Sequence, residues 1–520
     1  MKSKNYFFPV LAAALLFAGC KKEQFESEPN DSFAAANFVS LPCDIKGYLQ
    51  SDNDVDFFYF NVKDNSIIDV KVPGIKGVNH SIKIWRDAPS SVLLKFIDDG
   101  RKSSPERMCN FFADSGKYYV SIQHGEGDPR KGNQDTPYNL VMTARSFTGY
   151  EECEPNDGIE QANIIELGRD IKGYFSPACN RLNINGREPL REEDWFAVSL
   201  DCSHAPVVLD ISLSGVLGIN SVLEVYDPDG NFVMARDNNP TGLGESISSL
   251  GITQSGVWYI VVAAKGRAAN YDEPYTLRIT SGDYNPSMEL EPNSSIETAN
   301  EIKGSYMEGS FNYPGDVDYF IYSFKGMPGF YRISLKPDAG TDVVLTLLFP
   351  DDGGNFRKIA EINNGGAGVE EIFPNFYADD KFVCAVSSAS PYKEGNSYRL
   401  TVEPISDTYG MEIEPNDTKE EANIVKDNII KGFTSKAGDK DYFKLQYDGR
   451  LNAVFEITAP RNGEIKVSVT DPMGFVLKTC KVAGGKSARL SEMIDASCYL
   501  VVEALQLDLG NPYSIGVKTK

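Results

Sequence analysis

Histidine is nearly absent from this chain: 520 residues hold three, His80, His124 and His204. Histidine is the usual acid–base group near neutral pH and a common zinc ligand. No H-E-x-x-H, no G-x-S-x-G elbow and no glycine-rich phosphate loop ahead of a helix occurs. His124-Gly125-Glu126-Gly127-Asp128 reads as a solvated hairpin loop, and no enzyme activity is expected. Basic residues are also short, 51 Lys and Arg against 74 Asp and Glu, a net charge of −23. That excludes a nucleic-acid partner, whose phosphates demand Lys and Arg, and argues against adsorption on anionic lipid. Helical patterns longer than about two turns are missing after the N-terminus, and no later stretch is apolar enough to span a bilayer. The nine cysteines include no C-x-x-C, so thiolate metal sites are not expected. Cys480 with Cys498, and more weakly Cys179 with Cys202, are candidate disulfides, while Cys384 stands alone in its segment.

What is present is repetition. Glu26-Ser27-Glu28-Pro29-Asn30-Asp31 returns as Glu152-Cys153-Glu154-Pro155-Asn156-Asp157, Glu289-Leu290-Glu291-Pro292-Asn293-Ser294 and Glu412-Ile413-Glu414-Pro415-Asn416-Asp417. Each copy leads to Ala-Asn (Ala36-Asn37, Ala162-Asn163, Ala299-Asn300, Ala422-Asn423), then to a glycine in a short strand (Gly47, Gly173, Gly309, Gly432). An acidic pair then runs into an aromatic strand: Asp54 and Asp56, Asp316 and Asp318, Asp439 and Asp441. The second copy reads Glu192-Glu193-Asp194 after an insertion from Ser176 to Arg191. Period-two runs with Asp-Gly and Pro-Asp turns follow, and the last strand of each copy begins with tyrosine: Tyr138, Tyr275, Tyr398 and Tyr513. Such patterning specifies half-buried antiparallel strands. With 41% hydrophobic and 11% aromatic residues, each segment can bury its own core. The expected class is all-β: four tandem jelly-roll-like β-sandwich domains at 24–148, 149–283, 284–406 and 407–520, arranged as beads on short linkers.

The pattern E-P-N-D…A-N…G…D-x-D-(aromatic)-F…Y-x-L resembles the bacterial pre-peptidase C-terminal (PPC) domain, in four copies. That family is a β-sandwich often appended to secreted peptidases and similar to the collagen-binding domains of clostridial collagenases. The N-terminus resembles a bacterial lipoprotein signal. Lys2 and Lys4 precede an apolar run from Phe7 to Ala18, and Leu16-Phe17-Ala18-Gly19-Cys20 resembles a lipobox. This implies a signal peptide at 1–19, lipidation of Cys20, and attachment to the membrane through that lipid only.

The heads hold the candidate chemistry. A residue before proline is extended, and in extended chain positions i, i+2 and i+4 share a face. Glu26, Glu28 and Asn30 then present oxygens together, and Asp54 and Asp56 supply more. Such a set of hard oxygens suits Ca²⁺. The resemblance implies the same ligand type: Glu26, Glu28, Asn30, Asp31, Asp54 and Asp56 in the first copy. In the second it implies Glu152, Glu154, Asn156, Asp157 and Asp194, and in the third Glu289, Glu291, Asn293, Asp316 and Asp318. The fourth offers Glu412, Glu414, Asn416, Asp417, Asp439 and Asp441. The competing reading makes Asn30 or Asp31 an ordinary cap and the acidic pair a solvated strand start. Ser294 suits capping better than calcium, so the third joint is expected to respond least.

The expected function is a non-catalytic lipid-anchored protein of the outer membrane or cell surface. It acts as an adhesin or stalk that binds an extracellular protein or polysaccharide. The alternative is an accessory or structural subunit of a secreted hydrolase or cell-envelope complex.

Overall fold

The computed structural model describes residues 23–87, 91–98, 100, 102–126, 132–176, 193–266, 268–323, 328–351, 353–379, 381–393, 395–425, 428–436, 438–447, 449–495 and 497–519. Cys20, Cys179, Glu192 and the body of the insertion lie outside these residues. The chain is all-β, with one short 3₁₀ turn at Ile159–Gln161 among the described residues.

Alternation builds the strands. In Val55–Val62, Phe58 and Phe60 face the core, while Phe57 and Tyr59 on the other face join Phe33, Trp85 and Tyr119 in an aromatic layer. Burying one such ring contributes about 1.5–3 kcal/mol. In the first unit one sheet orders Cys43–Gly47, Tyr138–Ser146, Ser66–Val72 and Glu106–Ala113; the other orders Val55–Val62, Gly116–His124, His80–Arg86 and Val92–Ile97. In chain order these strands run 1-8-3-6 and 2-7-4-5, a jelly roll. The same order recurs in three further sandwiches, and each of the four has a separate hydrophobic core.

The units are not beads on free linkers. The sixth strand of the first unit, Glu106–Ala113, bulges at Asn110, which sits at φ 57°. There Glu154 of the second head donates its N–H to Asn110 O (2.9 Å) and its carbonyl accepts the N–H of Phe112 (3.0 Å). The second unit repeats the device at Ser249, φ 56°: Glu291 N–H donates to Ser249 O and Gly251 N–H to Glu291 O, both at 2.8 Å. In the third unit Asn375 holds the fourth head by donating from Nδ2 to Glu412 O (2.9 Å). The corresponding strand of the fourth unit, Ser487–Ile494, pairs without interruption.

Two expectations need correction. The described cysteines are free thiols. Cys480 lies on Val476–Ala483 and Cys498 just before Tyr499–Gln506, with Glu464–Thr470 hydrogen-bonded between them. Two strand spacings, about 9–10 Å, exceed disulfide reach. His124 is not in a loop but ends a strand directly opposite His80. Their Nε2 atoms meet backbone oxygens of Ser51 and Val72, and burial lowers His80 to about 4.

Candidate metal centres at the unit heads

Each head folds onto the sandwich it opens. The Asn30 carbonyl accepts the N–H of Phe57, and Asn156, Asn293 and Asn416 do the same for Trp195, Tyr319 and Tyr442. The Ala-Asn asparagine closes the other side. Asn37 accepts from Ser27 N–H through Oδ1 (2.6 Å) and donates from Nδ2 to Ser27 O (2.9 Å); Asn163, Asn300 and Asn423 repeat this on Cys153, Leu290 and Ile413. The head is not one extended run: residues 26–31 and their counterparts lie outside the strands, and the four Glu-Pro peptides are cis.

Convergence is tight. Ligand oxygens of Glu26, Glu28 and Asp56 lie within 4.8 Å of one another, as do those of Glu152, Glu154 and Asp194, of Glu291, Asp316 and Asp318, and of Glu412, Glu414 and Asp441. The second aspartate of each acidic pair, and Asp194 in the second unit, enters its cluster, and in the third unit Asp316 joins Asp318 there. Glu193 is turned away to accept from Trp195 Nε1. The first aspartate spends one oxygen on the preceding loop: Asp54 on Gln50 N–H, Asp316 on Asn312 N–H (2.7 Å) and Asp439 on Ser435 N–H (2.6 Å). Asp31, Asp157 and Asp417 stand at the rim, outside the tight clusters. Asp157 and Asp417 accept from Lys95 (2.8 Å) and Lys436 (2.5 Å), and Ser294 Oγ meets Tyr313 Oη at 3.0 Å.

Two residues per site are not legible as chemistry in the sequence. The tyrosine that opens the last strand places its hydroxyl between carboxylates. Tyr513 Oη is 2.9 Å from Glu412 Oε2 and 2.6 Å from Asp441 Oδ2, and Tyr398 lies 3.2 Å from Glu289 and 2.5 Å from Asp318. Tyr138 reaches Glu26 and Tyr275 reaches Asp194, both at 2.8 Å. The glycine of the short strand makes room for this contact. A Cβ at Gly47 would lie 2.2 Å from Tyr138 Oη and 2.3 Å from Glu26 Oε2, and one at Gly432 would lie 2.2 Å from both Glu412 and Tyr513. Recurrence marks both residues in the sequence; only the fold shows that they meet.

Burial and neighbouring carboxylates dominate the electrostatics of the clusters. Burial, followed by the Glu26 charge, pushes Asp56 up to about 9, and burial with Glu289 pushes Asp318 to about 10. Burial raises Glu289 and Glu412 to about 8 and Asp316 and Asp439 to about 6. Asp194, Glu414 and Asp441 rise well above the carboxylate range for the same reason, with neighbouring carboxylates next. Buried polar atoms point into the sites without a protein partner: Glu154 Oε1, both polar atoms of Asn156, Asp316 Oδ1, Glu414 Oε1, both polar atoms of Asn416, Asp439 Oδ1 and Asp441 Oδ1. The Asn30 amide lies 3.1 Å from Asp56 Oδ1 and 3.0 Å from Glu28 Oε2, and can offer them NH₂ or share a cation with them through Oδ1. An all-oxygen, mostly anionic, buried donor set of this kind fits a hard divalent cation. These clusters could hold a metal ion.

No family model matches the chain. Collagenase ColT of Clostridium tetani (strain Massachusetts / E88) is 26% identical over 121 residues, which are 23% of this chain and 11% of that relative. The chain therefore spans only a small part of that relative's length. Among solved structures, the pre-peptidase C-terminal domain of collagenase from Bacillus anthracis is 25% identical and covers 21% of this chain and 94% of its own, with a TM-score of 0.17. The PBSX exported protein XepA is 11% identical, covering 40% of this chain and 84% of its own, with a TM-score of 0.14.

Proposed function

We propose that this chain is a non-catalytic, exported and lipid-anchored array whose heads bind Ca²⁺, and that it acts as an adhesin or stalk for an extracellular protein or polysaccharide. The observation that carries the reading is the fourfold recurrence of an all-oxygen carboxylate cluster, fully buried in the second, third and fourth units, with polar atoms left unpaired. In the fourth unit Glu412, Glu414, Asn416, Asp439 and Asp441 would hold the ion; in the first, Glu26, Glu28, Asn30, Asp54 and Asp56. The ion supplies positive charge that those carboxylates lack, and so ties the head to its sandwich. A collagenase among the similar proteins supports an extracellular matrix protein as the first partner to try. Calorimetric titration of residues 23–520 tests the metal: heat and a raised thermal midpoint at millimolar Ca²⁺ are expected, and neither at any concentration refutes it. Immobilised collagen, other matrix proteins and polysaccharides test the partner, with retention expected to fall on chelation.

Met473, Phe475, Val476 and Leu477 form an exposed apolar run at one hairpin of the fourth unit. That run favours a second reading, an accessory subunit of a hydrolase or envelope complex. A stoichiometric protein partner on purification from membranes would support it over adhesion.

A further inference from the structure

The heads differ in what the preceding sandwich brings to them. The fifth strand of each unit is a sheet edge, and in the first three units that edge lies against the next head. Lys95, on Val92–Ile97, places Nζ 3.0 Å from Glu154 Oε2 and 2.8 Å from Asp157 Oδ1 of the second unit. Arg236, on Phe232–Arg236, places Nη2 3.4 Å from Glu291 Oε1 of the third, with its guanidinium 4.3 Å over the Tyr313 ring. Both cations are well covered, at 13% and 9% side-chain exposure, and their glutamates are at 1% and 0%.

Register makes the comparison strict. Lys95 faces Ile84, which faces Val120, which faces Phe58; Ala360 stands at the same place in the third unit, through Leu347, Cys384 and Phe320. Arg236 faces Leu223, then Val262, then Asp194; its counterpart in the third unit is Ile362, through Leu345, Val386 and Asp318. The first two units thus carry one cation at one of two adjacent same-face positions, and the third carries none. In place of a cation at those two positions, Ala360 and Ile362 line a crevice of about 170 Å³ that Lys358 borders on the same strand and Glu414, Asp417 and Lys436 close from the other side.

We propose that Lys95 and Arg236 are unit-to-unit locks: each supplies from one sandwich the positive charge that the next head needs, so two joints close without metal. This rests on the metal reading of the heads in one respect only, that a divalent ion competes for the same carboxylates. An ion entering the second or third head must displace or share with its lock, because a buried carboxylate oxygen already paired with an ammonium or guanidinium is a weaker ligand. Among the described residues no ion pair joins a third-unit cation to a fourth-head carboxylate, and that head keeps an open approach, so the joint between the third and fourth units is the metal-dependent one.

The test uses residues 23–520 carrying K95M, R236M or both. K518M serves as a control, since Lys518 makes an exposed pair with Glu456 within the fourth unit. In chelator, small-angle scattering and limited proteolysis at 146–151 and 283–288 are expected to report closed joints in the parent and K518M. K95M should open the first of these joints and R236M the second, with K95R and R236K restoring closure. Terbium luminescence should show one site gaining roughly tenfold in affinity in each methionine variant, the scale of one lost charge contact. Joints that stay closed in chelator in both methionine variants, or terbium affinities that do not rise where terbium binds, overturn the lock. If no head of any variant binds terbium while the variant joints open, the metal reading fails and the lock stands.

Discussion

At the scale of single residues, each head is a competition between burial and charge. Gly432 sits where any side chain would collide, its Cβ 2.2 Å from both Glu412 and Tyr513. Gly432→Ala is therefore expected to cost about 1–3 kcal/mol, the usual penalty of overpacking, and to abolish cation binding at the fourth head. Thermal unfolding and calorimetry of the variant check both effects. The raised carboxylates also set a pH dependence with a definite sign. Glu289 and Glu412 stand at about 8, Asp56 at about 9 and Asp318 at about 10 when folded. Their unfolded values are about 4. Between those limits the folded chain holds protons that the unfolded chain has released, so this contribution is complete below about pH 4 and is lost as pH rises toward 8–10. Exposed pairs such as Lys518–Glu456 act in the opposite sense but are screened by solvent. The metal-free chain should have a lower thermal midpoint at pH 8 than at pH 5, and saturating Ca²⁺ should remove most of the difference. A flat metal-free profile would show that the clusters are not desolvated as described.

At the scale of elements, the sixth-strand bulge does what a plain edge strand cannot. Asn110 and Ser249 turn into the left-handed region and aim a carbonyl at the next head, making a two-bond bridge. Only glycine, asparagine and a few small polar residues tolerate that conformation cheaply. Asn110→Val should cost about 1–2 kcal/mol and detach Glu154, whereas Asn110→Gly should keep the bridge. Hydrogen exchange at the Glu154 and Phe112 amides distinguishes the two, with faster exchange in the valine variant only.

At the scale of the whole molecule, four separate cores predict four partly independent unfolding units rather than one two-state transition. Calorimetric scans should resolve more than one transition, and Ca²⁺ should raise most the one that contains the fourth head. A single transition shifted uniformly would mean that the joints couple all four cores.

The sequence by itself determined the period, the class and most of the site. Strand alternation is local, so Val55–Val62 and its counterparts could be read residue by residue, and four copies of E-x-E-P-N-D with its acidic pair named the oxygens that converge. Tertiary structure decided what depends on distant segments. Tyr138 reaches Glu26 across 112 positions of chain, and nothing in the spacing of either residue shows that Gly47 must be bare for them to meet. It selected Asp194 over Glu193, because strand pleating sends adjacent side chains to opposite faces. It separated Cys480 from Cys498 by inserting a strand between them. It also turned an apparent linker into an interface, since the partners of Glu154 and Glu291 belong to the preceding sandwich, and register between sheet edges is a property no single repeat contains.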